Sequence, residues 1–209
     1  MANTDYRDAV RILFLLNTKA SVSNNDPATN VEFPRRFKGE MRLQALDFWV
    51  RYPDYLADEL VAQFNATGDC AKLVAAQLIF DANEPSERAI PMLRKYYGAY
   101  EDLDTVMAIL AMNRLVKPVT IQNSLGKNAQ HFLISGRVAE LCQEIVSEHP
   151  IFVWYLHRST LVVDVANGRG GAALKARQHA QKEYHDSKVG DLIPTIAGRV
   201  KKRLEDIAA

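Results

Sequence analysis

The chain has 209 residues, 48% of them hydrophobic, with 26 Lys and Arg against 25 Asp and Glu and a formal net charge of +1. That length supports one or two domains with a real core. The charge balance excludes a protein whose whole surface serves a polyanion, so any nucleic-acid contact must come from a local patch. Two isolated cysteines, Cys70 and Cys142, form neither a disulfide framework nor a zinc-ligand pair and read as small buried thiols in a reducing compartment.

The stretch MANTDYRDAVRILFLLN does not read as a signal peptide, because Asp5 and Asp8 sit where a basic region belongs and Arg7 and Arg11 interrupt the apolar run. It predicts a first helix capped at Thr4, with Tyr6, Val10, Leu13, Phe14 and Leu16 on its apolar face. ASVSNNDPATNVEFP reads as a loop, and Phe37–Tyr52 as a second helix ended by Pro53. Pro53 then opens a third helix, PDYLADELVAQF. GDCAKLVAAQLIFDAN and EPSERAIPMLRKYYGAY are a fourth and a fifth, Pro91 being tolerable only near a helix start or at a kink. EDLDTVMAILAMNRLVKP is the most regular helical pattern, with carboxylates at its start and Arg114 and Lys117 at its end, stopped by Pro118.

Val119–Gln122 and Gln130–Ile134 read as two strands around NSLGKNA. Ser135 caps a helix over 136–147, and the apolar HPIFVWYLHRSTLVVDVAN follows as a core helix. Ala172–His185 and Asp191–Ile207 complete a mainly α chain. No stretch of about 18 uncharged apolar residues exists, so no membrane span and a cytoplasmic protein are expected. Helix, strand pair, helix is the order of a winged-helix domain. The expected architecture is therefore a winged-helix-like region over 84–148, its hairpin the wing, with flanking helical regions over 1–83 and 149–209. The helix in the recognition position opens with Glu101, Asp102 and Asp104, which would repel phosphates and argues against major-groove readout.

No catalytic, cofactor or metal constellation stands out. HAQKEYHD brings His179, Glu183 and His185 together in sequence but not at the two-histidine spacing of a zinc protease helix. Cys142 lies next to Leu141 on an amphipathic helix, as a core thiol does. NGRGGAALK leads into a helix bearing Lys175 and Arg177, which could hold a phosphate at a helix start, although it lacks the P-loop spacing. FPRRFKGEMR supplies Arg35, Arg36, Lys38 and Arg42, and the wing tip supplies Lys127 and Asn128. With Lys175 and Arg177 these cations are the candidate nucleic-acid contacts. GRVKKRLED adds Arg199, Lys201, Lys202 and Arg203 for nucleic acid or an acidic partner face.

Three stretches carry a family resemblance: LQALDFWVRYPDYLADEL (Leu43–Leu60), MLRKYYGAYEDLDTVMAILAMNRLV (Met92–Val116) with HFLISGRVAELCQEI (His131–Ile145), and GGAALKARQHAQKEY (Gly170–Tyr184). Together they resemble the middle component of bacterial ABC-three-component systems, antiphage defence modules of the Lamassu kind. The chain departs from that pattern at Tyr97-Gly98-Ala99-Tyr100-Glu101, which lacks the family's Pro and Trp, and at Leu133-Ile134-Ser135-Gly136. The resemblance implies a non-catalytic winged-helix accessory subunit, without cofactor, that bridges an SMC-like or ABC ATPase and an effector such as a nuclease, with DNA touched only in the assembled complex. It makes the aromatic cluster Trp49, Tyr52, Tyr55, Tyr96, Tyr97 and Tyr100 the candidate partner-binding surface, since Trp and Tyr dominate interface hot spots. The competing expectations are a dimeric winged-helix transcription regulator and a small enzyme using His149 or His157 with Cys142.

Overall fold

A computed structural model describes residues 2–23, 26–95, 98–99, 102–122 and 126–209, of which 2–4 and 22–23 by backbone alone. Among the described residues the chain is mainly helical, 61% helix, with small antiparallel sheets. In chain order the elements are α1 (Ala2–Leu16), β1 (Ser21–Ser23), β2 (Arg35–Lys38), α2 (Glu40–Arg51), α3 (Pro53–Thr67), α4 (Cys70–Asp81) and α5 (Glu84–Glu87). There follow β3 (Arg94–Lys95), β4 (Gly98–Ala99), α6 (Asp104–Met112), β5 (Val116–Gln122), β6 (Asn128–Ile134), α7 (Arg137–Glu148), a 3-10 turn at Pro150–Phe152, and α8 (Val153–Ala166). The last elements are α9 (Gly171–His179), α10 (Lys182–Asp186) and α11 (Ala197–Ala208). Among the described residues no helix is long and apolar enough to cross a membrane.

Two compact units are interleaved along the sequence. Met1–Leu46 joins Asp102–Leu174, and Asp47–Glu101 joins Lys175–Ala209. The stretch 84–148 is therefore divided, 84–101 belonging to the second unit and 102–148 to the first.

In the first unit, Ile12, Leu13, Phe14, Leu15 and Leu16 are all buried, because α6, α7 and α8 all pack on α1. A helix apolar on every side needs such enclosure. The sheet has the order β1-β2-β6-β5 and is antiparallel throughout. The expected hairpin is present, with seven-residue strands. It is half of a four-stranded sheet, not an appendage, because β2 pairs along β6 from Arg35↔Ile134 to Lys38↔His131. Two of these strands correct the sequence reading: Ser21–Ser23 was expected as loop and Phe37 as the start of a helix. Pro118 does not stop α6. It lies in β5, an edge strand, where a missing backbone donor is tolerated. The helix ends earlier, at Met112, and Arg114 takes a left-handed φ of 56° in the turn that follows.

In the second unit, α3 is buried at every position from Pro53 to Val61, including Asp54, Asp58 and Glu59. Pro53 opens it as expected, and Gly68 closes it with φ 72°. Asp69 caps α4 by accepting from the Ala71 amide at 3.0 Å. The fifth expected helix shrinks to Glu84–Glu87. Beyond it the chain runs extended: the Arg94 amide donates to the Asp191 carbonyl at 2.8 Å and the Ile193 amide to the Met92 carbonyl at 3.0 Å. Pro91 sits in this extended run, where it breaks no helix. The helix expected over Ala172–His185 is two, α9 and α10, and the last begins at Ala197, not Asp191.

Candidate functional site

The aromatic surface is not where the sequence put it. Trp49, Tyr52 and Tyr55 are 2%, 3% and 2% exposed, so they are core side chains of the second unit. The Tyr52 hydroxyl accepts from the Met92 amide at 2.9 Å and donates to the Ile193 carbonyl at 3.0 Å, while Tyr55 donates to the Pro194 carbonyl at 3.1 Å. Phe48 packs on both rings, 4.7 and 5.0 Å between centroids, and on Tyr184 at 5.3 Å. Burial raises the pKa of all three tyrosine hydroxyls. A tyrosine whose ring and hydroxyl are both used in the core has nothing left to offer a partner. Tyr96, Tyr97 and Tyr100 lie outside the described residues.

Most of the candidate nucleic-acid cations have internal partners. Arg35 donates to the Asn17 side chain at 3.0 Å, and Arg36 pairs with half-buried Asp26 at 2.5 Å. Arg42 lies over the Phe37 ring at 5.5 Å and donates to the Ala20 carbonyl at 3.3 Å. Arg177 pairs with Glu59 through contacts of 3.0 and 2.6 Å. Lys175 is half-buried, and Lys38 and Lys127 are exposed. The sheet gives the exposed cations a new neighbour. Lys38 pairs directly with His131 in the β2–β6 register, one row from Arg36 and Lys117, which both oppose Leu133. Desolvation, then Arg36 and Lys38, hold the His131 pKa below its usual value.

The other sequence motifs have structural roles. His179 stacks edge-on against Tyr184 at 5.0 Å, Glu183 holds Arg199 with contacts of 2.9 and 3.3 Å, and His185 meets Asp186 at 3.0 Å, so the three groups of HAQKEYHD do not converge. Cys142 lines a cavity of 310 Å³ with Asn17, Ala139, Gln143, Val146, Ser147 and Leu156, none of them histidine. Burial pushes its thiol up to about 12, so it stays protonated at neutral pH. In NGRGG the decisive glycine is Gly171: a Cβ there would lie 2.6 Å from the Arg42 amide nitrogen and 2.8 Å from the Met41 carbonyl carbon. It lets the first turn of α9 sit against the first turn of α2.

The first unit has a groove of 490 Å³ between α6 and the sheet. Its floor is Leu103, Met107 and Phe132, exposed by 4%, 6% and 2%. Ala108 and Ala111 form one wall, Pro118 and Gln130 the other. Glu40 and Asp104 complete the lining. Asp102 is used locally, accepting from the Asp104 amide at 2.9 Å, whereas neither Glu40 nor Asp104 has an ion-pair partner among the described residues. Further along α6, Met112 is 84% exposed. The groove was not legible in the sequence because its two walls are separate elements brought together by the sheet.

The second unit holds a carboxylate row that the sequence reading also missed. Asp54 accepts from Thr195 Oγ1 at 2.6 Å and from the Ile196 amide at 2.7 Å. Asp58 accepts from Gln181 at 2.7 Å, Arg199 at 3.2 Å and Arg203. The spacing of four between Asp54 and Asp58 recurs between Arg199 and Arg203, and that shared period was the available signal. The acidic partner face expected for Arg199 and Arg203 is thus internal, while Lys201 and Lys202 remain exposed.

Compared with protein-family models, curated proteins and solved structures, the chain matches none.

Proposed function

We propose that the protein is a non-catalytic adaptor, the accessory subunit that joins an SMC-like or ABC ATPase to its effector in an antiphage defence complex of the cytoplasm. One observation carries this reading. The outer side of α6, the helix before the hairpin, presents a carboxylate and apolar groups (Asp104, Ala108, Met112) beside a groove with an apolar floor. Such a surface repels phosphate and suits a protein partner. The order α6, β5, β6, α7 supports a winged-helix element used for docking. The buried, protonated Cys142 gives no support to a thiol enzyme.

The test is purification of the tagged full chain from its native host under mild conditions. A co-purifying subunit that hydrolyses ATP is expected, and a chain that elutes alone overturns the reading. A second reading, a nucleic-acid-binding winged helix, is favoured by the Lys38–His131 pair on the sheet with Lys117 in the next row. Titration with random duplex at varied salt separates the two: tight binding that weakens steeply with salt would favour this second reading.

A further inference from the structure

We infer that the groove between α6 and the sheet is the seat of a partner helix that is apolar on one face and basic along its edges. The inference rests on the adaptor reading and names the chemistry of its partner. Three features select this occupant. The floor side chains, Leu103, Met107 and Phe132, are apolar, so the side that faces them is apolar. The lining carries two carboxylates, Glu40 and Asp104, with no ion-pair partner among the described residues, so cations at the partner's edges complete them. Small side chains, Ala108 and Ala111, let another backbone approach α6 closely.

A strand is the poorer occupant. The adjoining edge strand β5 carries Pro118, which interrupts the row of backbone donors that strand addition needs. A polar small molecule is also disfavoured, because Gln130 is the only uncharged hydrogen-bonding side chain in the lining and its Oε1 already accepts from Thr120 at 3.0 Å.

The experiment uses the full chain and two fluorescein-labelled, stapled helical peptides that share one leucine face. Lysines flank that face in one peptide and glutamates in the other. Anisotropy titrations at low salt should show the lysine peptide binding at least tenfold more tightly. Glu40→Lys with Asp104→Lys, both outside the core, should invert that preference, and Ala108→Trp should weaken both peptides at least tenfold by filling the groove. Amide shifts on binding should map to 103–111, to the residues around Pro118, and to 130–132. Absence of binding, an unchanged preference in the double variant, or shifts centred elsewhere overturns the inference. Binding of small polar compounds in place of the helix would do the same. The two readings fail separately. An ATPase partner that stays bound to the charge-reversed chain removes the groove assignment and leaves the adaptor; tight, salt-steep duplex binding removes the adaptor while the peptide preference stands.

Discussion

Gly171→Ala is the sharpest test of the packing in the first unit. The added methyl carbon would lie 2.6 Å from the Arg42 nitrogen, where ordinary contact begins at 3.4 Å, so the first turns of α2 and α9 must part by about 0.8 Å. The atoms met are backbone and the Met41 Cβ, not the free end of a flexible side chain, so the strain cannot be relieved by a rotamer change. Overpacking of this kind costs about 1–3 kcal/mol. The lost freedom of the unfolded chain offsets about 0.4–1 kcal/mol of it. A net loss of about 1–2 kcal/mol remains, which lowers the melting temperature of a chain this size by about 3–6 °C. Gly170→Ala is the control, because no atom lies within 4 Å of its Cβ position. There the gain in unfolded-state entropy is offset by a poorer helix start, and the expected change is within about 0.5 kcal/mol. Thermal unfolding followed by circular dichroism reads both. A Gly171→Ala chain as stable as the parent, or a Gly170→Ala chain hurt as much, would refute the close approach of the two helix starts.

Further outcomes are expected at Asp58, at the two cysteines and at His131. Asp58→Ala leaves Arg199 and Arg203 without their shared carboxylate; since these side chains are 37% and 32% exposed and can reach water, the cost should be about 2 kcal/mol, below that of a fully buried pair. A double-mutant cycle with Arg203→Ala in urea should return a clear coupling energy, and additive losses would sink the pairing. Cys70 should be alkylated at pH 8 in the native chain while Cys142 resists until unfolding, as peptide mapping can show. Because the Cys142 pKa is raised by burial, its contribution is fully present below pH 9.0 and is lost as the pH rises towards 12, so stability should fall over that window, and less in Cys142→Ala. His131 has the opposite sense: its folded pKa is lowered by desolvation and by Arg36 and Lys38, so acidification through 6.5 should destabilise the chain. Lys38→Gln should raise the His131 pKa measured by NMR, and an unmoved titration would contradict the pairing across β2 and β6.

Helices with strong local signals were legible in the sequence. Pro53 and Gly68 bracket α3, Asp69 starts α4, and the β-branched run after Lys117 marks the hairpin. What failed depended on distant partners. Arg35–Lys38 reads as basic helix or loop in isolation and becomes a strand only because β6 is there to pair with it. The run 92–95 has a helical composition but lies beside 190–193, about a hundred residues away in sequence. Tyr52 and Tyr55 share their composition with an interface, and distant partners, among them the carbonyls of Ile193 and Pro194, make them core. The groove has no signature of its own in the sequence: the acidic start of α6 speaks only against DNA, and the small apolar wall at Ala108 and Ala111 carries no motif.

The interleaving of segments has a consequence on the ribosome. Glu59 waits 118 residues for Arg177, and Asp58 waits 145 for Arg203. At about 5–20 residues per second, that is roughly 6 to 30 s during which the α3 carboxylates and the apolar side chains around them are synthesised without their mates. The second unit can close only after Arg203 has left the ribosome. Chaperone capture and proteolysis in the nascent state should therefore concentrate on residues 47–101.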